Sequence, residues 1–232
     1  VSFSSMGCTR GRHLQAQEQK KICISCGGTG CGICKLTGTG WGQELVQLPA
    51  DKEVLLCTFF PMRDEITAAL CNLKELKDAL RPEDALFMDL GCGDGRVVFD
   101  VAAKFRCRCI GVEIDEQLVA RALRSRDTDS QVSAEARACI EFVRADFRHV
   151  DLTAAAAIFL FLPLHVSEYV LREVLPIAHL KHGTLVIACG RAGWEPQLVW
   201  SKSGHGYRHV ATRIIDSRSH GVLYLFRWQC TS

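Results

Sequence analysis

The chain has 232 residues, 48% of them hydrophobic, and a formal net charge of +2. That length allows one domain of ordinary size with a small appendage, and the apolar content is enough to fill a core. The near-balanced charge lacks the basic footprint that phosphate-rich partners call for, and no apolar run approaches the ~20 residues needed to cross a bilayer as a helix.

Residues 1–22 carry Ser2, Ser4, Ser5, Arg10, Arg12, Lys20 and Lys21 against a single acid, Glu18. This reads as a flexible leader, with an organelle transit peptide as the alternative. Residues 23–50 are rich in Gly, Cys and polar residues and show no sustained periodicity. Four of the thirteen cysteines stand there, at 23, 26, 31 and 34, and the other nine are scattered. Scattered cysteines do not look like a secreted disulfide framework; they point to a reducing, intracellular compartment, with mitochondrion, another organelle or cytoplasm all open.

Cys23, Cys26, Cys31 and Cys34 form two C-x-x-C pairs, each able to bite one metal, with glycines that let the chain bend back. The run from Cys23 to Gly30 resembles the C-x-x-C-x-G-x-G repeat of DnaJ-type zinc modules. One tetrahedral zinc is the expectation. The alternatives are an iron–sulfur cluster on Cys26, Cys31, Cys34 and a fourth ligand elsewhere, or free thiols.

Residues 51–84 form a leader and a helix. Ile66, Leu70, Leu73, Leu76 and Leu80 keep helical spacing, and Arg81-Pro82 ends it. From 85 to 230 strands and helices alternate. The predicted strands are 85–90, 107–114, 140–144, 157–162 and 184–189, and the intervening helices include 95–105, 116–126 and 166–174. Two β-rich runs, 209–215 and 222–228, suit a terminal hairpin. Such alternation predicts an α/β fold with a parallel sheet covered on both faces.

The sharpest motif is MDLGCGDGRV at 88–97. A strand ends at Leu90, and Gly91, Cys92, Gly93, Asp94 and Gly95 make the turn into a helix. Glycines there permit close approach of backbone to a ligand. A dinucleotide fingerprint would need its third glycine at 96, where Arg96 stands. Asp89 and Asp94 would repel a pyrophosphate and tolerate a cationic sulfonium, which favours S-adenosylmethionine as cofactor. Glu113, 22 positions beyond Gly91 and followed by Ile114, is placed to accept bonds from ribose hydroxyls. Asp146 would accept from the adenine amino group, with Phe147 beside the ring.

MDLGCGDGRV, GVEID and RADF resemble the motifs of class I methyltransferases. The resemblance implies a Rossmann-like, seven-stranded, mostly parallel sheet with an antiparallel last strand. Phe60-Pro61, the GDGRVV loop, AIFLFLPLHV and GTLVIACGRAGWEP are similar to the small mitochondrial protein-lysine methyltransferases that modify the ATP synthase c subunit or the adenine nucleotide translocase. That likeness implies a protein lysine as acceptor, with Phe161, Pro163 and Trp194 lining its channel. The alternatives are methyl transfer to a small molecule or nucleic acid, or a zinc-bearing interaction protein that binds the cofactor without catalysis.

Overall fold

The computed structural model describes residues 45–47, 53–55, 59–196, 206–216 and 221–229, all within the unit Glu44–Ser232. The leader and Cys23, Cys26, Cys31 and Cys34 lie outside the described residues. Of the cysteine-rich segment only β1 (Leu45–Gln47) is described, and it pairs antiparallel with β2 (Glu53–Leu55).

The helix expected over 63–80 is two helices, α1 (Asp64–Cys71) and α2 (Lys74–Ala79). Asn72 leaves helical geometry and Leu73 is extended. The break does not disturb the apolar stripe: Ile66, Leu70, Leu73, Leu76 and Leu80 are all buried. Continuous periodicity therefore concealed a kink that keeps every leucine on the sheet. Asp64 and Glu65 lie in the first turn of α1, where the helix dipole favours acids.

The main body alternates as expected: β3 (Leu86–Leu90), α3 (Arg96–Phe105), β4 (Arg108–Glu113), α4 (Glu116–Thr128), α5 (Ala134–Ala138), β5 (Ile140–Arg144), β6 (Ala155–Leu160), α6 (Leu164–Tyr169), β7 (Leu185–Gly190), β8 (Tyr207–Asp216) and β9 (Gly221–Trp228). The short α5, capped by Ser133, was not foreseen, being too brief to show a period. Helix α6 continues as a π-helical turn, Val170–Val174, and a 3-10 turn, Leu175–Ile177.

The seven strands order as β5-β4-β3-β6-β7-β9-β8. β9 runs antiparallel to both its neighbours, β7 and β8; the other pairings are parallel. Successive residues of the central strands point to opposite faces. Phe87, Phe159 and Ile187 pack with Ile66, Leu70, Leu76, Val98 and Val101. Met88, Ile158 and Val186 pack with Val166, Val170 and Leu171. Both faces are thus covered, as a parallel sheet requires. β6 ends two residues before its expected limit, because Pro163 disfavours continuation, and this releases Phe161 and Leu162 into the loop that follows.

Gly111 shows how tightly β4 is packed. It lies in register between Asp89 of β3 and Phe142 of β5. A Cβ there would stand 2.7 Å from Cys92 Sγ and 2.7 Å from the Phe142 ring. Gly111→Ala should cost about 1–3 kcal/mol by overpacking, a fall in Tm of about 2–4 °C per kcal/mol. Thermal unfolding measures it, and an unchanged Tm would contradict this packing.

Candidate functional site

The carboxyl ends of β3, β4, β5 and β6 bring the motif residues to one side of the sheet, where doubly wound folds bind ligands. The loop after β3 is pinned to β4: the Gly91 and Cys92 amides donate to the Val112 carbonyl at 2.8 and 3.0 Å. Gly91 has φ +83, and a Cβ on it would meet Leu162 Cδ2 at 2.5 Å. Gly93 has φ +57, and the Phe59 ring occupies the place of its missing Cβ. Only glycine fits these two positions, so the loop backbone packs directly against Leu162 and Phe59. Gly95, also left-handed, starts α3.

Glu113 ends β4 and fastens that loop. Its Oε2 accepts the Gly93 amide at 2.9 Å, and its Oε1 accepts the Ile114 and Asp115 amides at 2.8 and 3.0 Å. The half-buried Ile114 thus contributes its backbone. Asp115, one residue on, caps α4 through the Gln117 and Leu118 amides.

Four acids border the crevice, in two pairs of different character. Asp94 is gripped by Arg96, whose Nε and Nη2 reach its oxygens at 3.0 and 2.7 Å and whose Nη1 donates to the Met62 carbonyl at 3.0 Å. Burial pushes the Asp94 carboxyl up, but hydrogen bonds and charge from Arg96 outweigh it and leave it below its ordinary value. Asp146, at the end of β5, is likewise held low by Arg148 against the effect of burial. Asp89 and Glu113 have no ion-pair partner among the described residues. Asp89 is fully buried, and burial, with Glu113 and Asp94 close by, raises its carboxyl to about 8. Burial also raises the Cys92 thiol, which stays neutral beneath the loop.

Phe147 is half-buried in the 3-10 turn that Asp146 caps. Beyond β6, Phe161 packs against Phe60, ring centres 6.5 Å apart, and Phe60 is 51% exposed. Pro163 caps α6. Trp194 behaves differently from its expected place in a channel. It is 6% exposed, fills the space beside Gly190, packs edge-on against Tyr224 and donates Nε1–H to Glu168 at 3.1 Å. It is a packing residue. Arg148 and the leader residues Phe59 and Met62 were not foreseen as part of the site, and Arg96 entered only as the residue that breaks the dinucleotide spacing. The signal for both arginines is an Asp-x-Arg spacing, repeated at 94–96 and 146–148.

These strand ends therefore offer glycine backbone, acceptor carboxylates and, at Glu113, a carboxylate with no ion-pair partner among the described residues. A cationic, hydroxyl-bearing nucleoside fits this set; a pyrophosphate does not.

The ANTKMT methyltransferase domain family matches residues 89–197. A protein-lysine N-methyltransferase of Saccharolobus islandicus (strain REY15A) is 33% identical over 120 residues, which are 50% of this chain and 70% of that protein. An RNA methyltransferase from Salinibacter ruber, solved with S-adenosyl-L-homocysteine, superposes with a TM-score of 0.52 at 24% identity, over 75% of this chain and 96% of that one. That likeness is one of fold.

Asp89 makes the free chain sensitive to pH. Between 3.8 and about 8 the folded chain keeps a proton that the unfolded chain has released. Rising pH in that window therefore favours unfolding. The Tm of Asp89→Asn should gain on that of the wild type as pH rises toward 8 and level off above. A difference in Tm that is flat with pH would contradict the buried, protonated carboxyl.

Proposed function

The chain belongs to the protein-lysine N-methyltransferase family, and we propose that its crevice holds S-adenosylmethionine and directs the methyl group to a protein lysine entering past Phe161 and Pro163. The observation that carries this reading is the Glu113 carboxylate, fixed by three amides between the glycine loop and the acid of β5.

Each residue has a role that its chemistry supports. Glu113 would accept from the ribose hydroxyls, and Asp146 from the adenine amino group, with Phe147 beside the ring. The backbone from Gly91 to Gly95, next to Asp89, would hold the methionine portion. When bound, the cofactor supplies a methyl group on a sulfonium, open to displacement by an amine. The protein's contribution is position and a dry path. A lysine arrives as an ammonium and must lose its proton to become a nucleophile. Desolvation beside Phe161 and Pro163 lowers its pKa and favours that loss. No side chain needs to serve as a dedicated base.

On spacing alone, Cys23, Cys26, Cys31 and Cys34 are assigned one structural zinc, and the thiols suit a reducing, intracellular compartment. Elemental analysis should find about one zinc per chain, lost when the four are changed to Ser; a zinc-free chain would reject the assignment.

Two outcomes test the catalytic reading. Glu113→Ala should weaken S-adenosylhomocysteine binding by about 1.5–3 kcal/mol, the worth of hydrogen bonds to a charged group; calorimetry showing unchanged affinity would remove Glu113 from the site. With labelled S-adenosylmethionine and cell extract, label should enter protein lysine, at a rate that rises with pH through the bound lysine's pKa. Phe161→Ala should slow transfer more than it weakens cofactor binding. Label confined to nuclease-sensitive or small-molecule fractions would refute the lysine acceptor.

A further inference from the structure

Asp146 is held by a neighbour two residues along. Its Oδ1 accepts the Arg148 backbone amide at 2.9 Å, which closes the turn after β5. The same residue's guanidinium then returns to the carboxylate. Nε stands 3.0 Å from Oδ1 and 2.9 Å from Oδ2, and Nη2 is 2.5 Å from Oδ2. The guanidinium also hydrogen-bonds the Tyr169 side chain of α6. The two side chains are 25% and 16% exposed, so the pair is shielded from solvent. A planar fork on both oxygens, braced from a separate helix, fixes the plane of the carboxylate; three donors, the Arg148 amide, Nε and Nη2, share its roughly four lone-pair directions and leave about one for a further donor.

The charge pattern gives this clamp a purpose. At the glycine loop, Asp89 and Glu113 have no cationic partner among the described residues, as suits a ligand portion bearing positive charge. At β5 the Asp146–Arg148 pair has no net charge, as suits a neutral base. An aimed acceptor in a neutral pair separates ligands by hydrogen-bond direction: a 6-amino group donates to it, whereas a 6-oxo group turns a lone pair toward it.

Resting on the reading of Asp146 as the adenine acceptor, we propose that Arg148 is a positioning residue that sets base specificity: it aims Asp146 so that the site takes a 6-aminopurine nucleoside and rejects the 6-oxo counterpart.

The test is a ratio of affinities, S-adenosylhomocysteine over S-inosylhomocysteine, measured by calorimetry on the full chain. The two ligands share ribose and homocysteine, so a general weakening of the site cancels. The wild type should favour the amino ligand by about 10- to 100-fold, as expected where a built polar contact is replaced by an unpaired one. Asp146→Ala should bring the ratio close to one, and Arg148→Ala should reduce it at least about fivefold from the wild-type value. Arg148→Lys keeps the charge but cannot bridge both oxygens, and should reduce it at least about threefold; this variant serves if the alanine one does not fold. Glu113→Ala should leave the ratio unchanged while weakening both ligands. A wild-type ratio retained in the folded Arg148 variants would overturn the proposal and leave Asp146 in place. A ratio near one in the wild type, unchanged by Asp146→Ala, would instead remove Asp146 from the base site.

Discussion

The Glu113 carboxylate is the constraint on which the site's geometry depends. Three amides converge on its two oxygens: Gly93 from the loop after β3, and Ile114 and Asp115 from the turn after β4. One side chain thereby joins two neighbouring strand ends. The loop can take this path because Gly91 and Gly93 adopt left-handed conformations with no room for a Cβ. The parallel sheet makes the join possible, since it brings β3, β4, β5 and β6 out on the same side in adjacent registers. Sheet, loop and acid are one device, and the core beneath them, close-packed around Gly111, holds it still.

Charge is distributed unevenly over this frame. Asp94 and Asp146 are each neutralised by an arginine two residues later, and each arginine also ties in a distant element, Met62 in one case and Tyr169 in the other. Asp89 is buried without such a partner, and its carboxyl stays protonated near neutral pH. A cofactor that is neutral at its base and cationic at its sulfonium matches this gradient. In the free chain Asp89 is thus neutral by protonation, and a cationic group bound beside it would favour its ionised form.

Much of this was legible in the sequence, for physical reasons. Fully buried parallel strands read as continuous apolar runs, and the glycine spacing after β3, with Glu113 22 positions on, marks a nucleoside site that Arg96 separates from dinucleotide folds. The break between α1 and α2 was not legible, because Leu70, Leu73, Leu76 and Leu80 keep one period through it. Nor were contacts between residues far apart in the chain: Phe59 over Gly93, Met62 on Arg96, Phe60 against Phe161. Trp194 illustrates the limit of motif reading. Its segment resembles an acceptor channel, yet Tyr224 and Glu168, which enclose it, lie 30 and 26 positions away in the chain.

The central claim is that a buried, uncompensated acid awaits a cationic cofactor, and proton release on binding tests it most directly. Titration calorimetry of S-adenosylmethionine near neutral pH, in buffers of different ionisation enthalpy, measures that release. Because Asp89 is protonated in the free chain and a sulfonium bound beside it would favour its ionised form, the account predicts release of up to about one proton in the wild type, and none from this source in Asp89→Asn. Tight binding with no difference between the two proteins would contradict it.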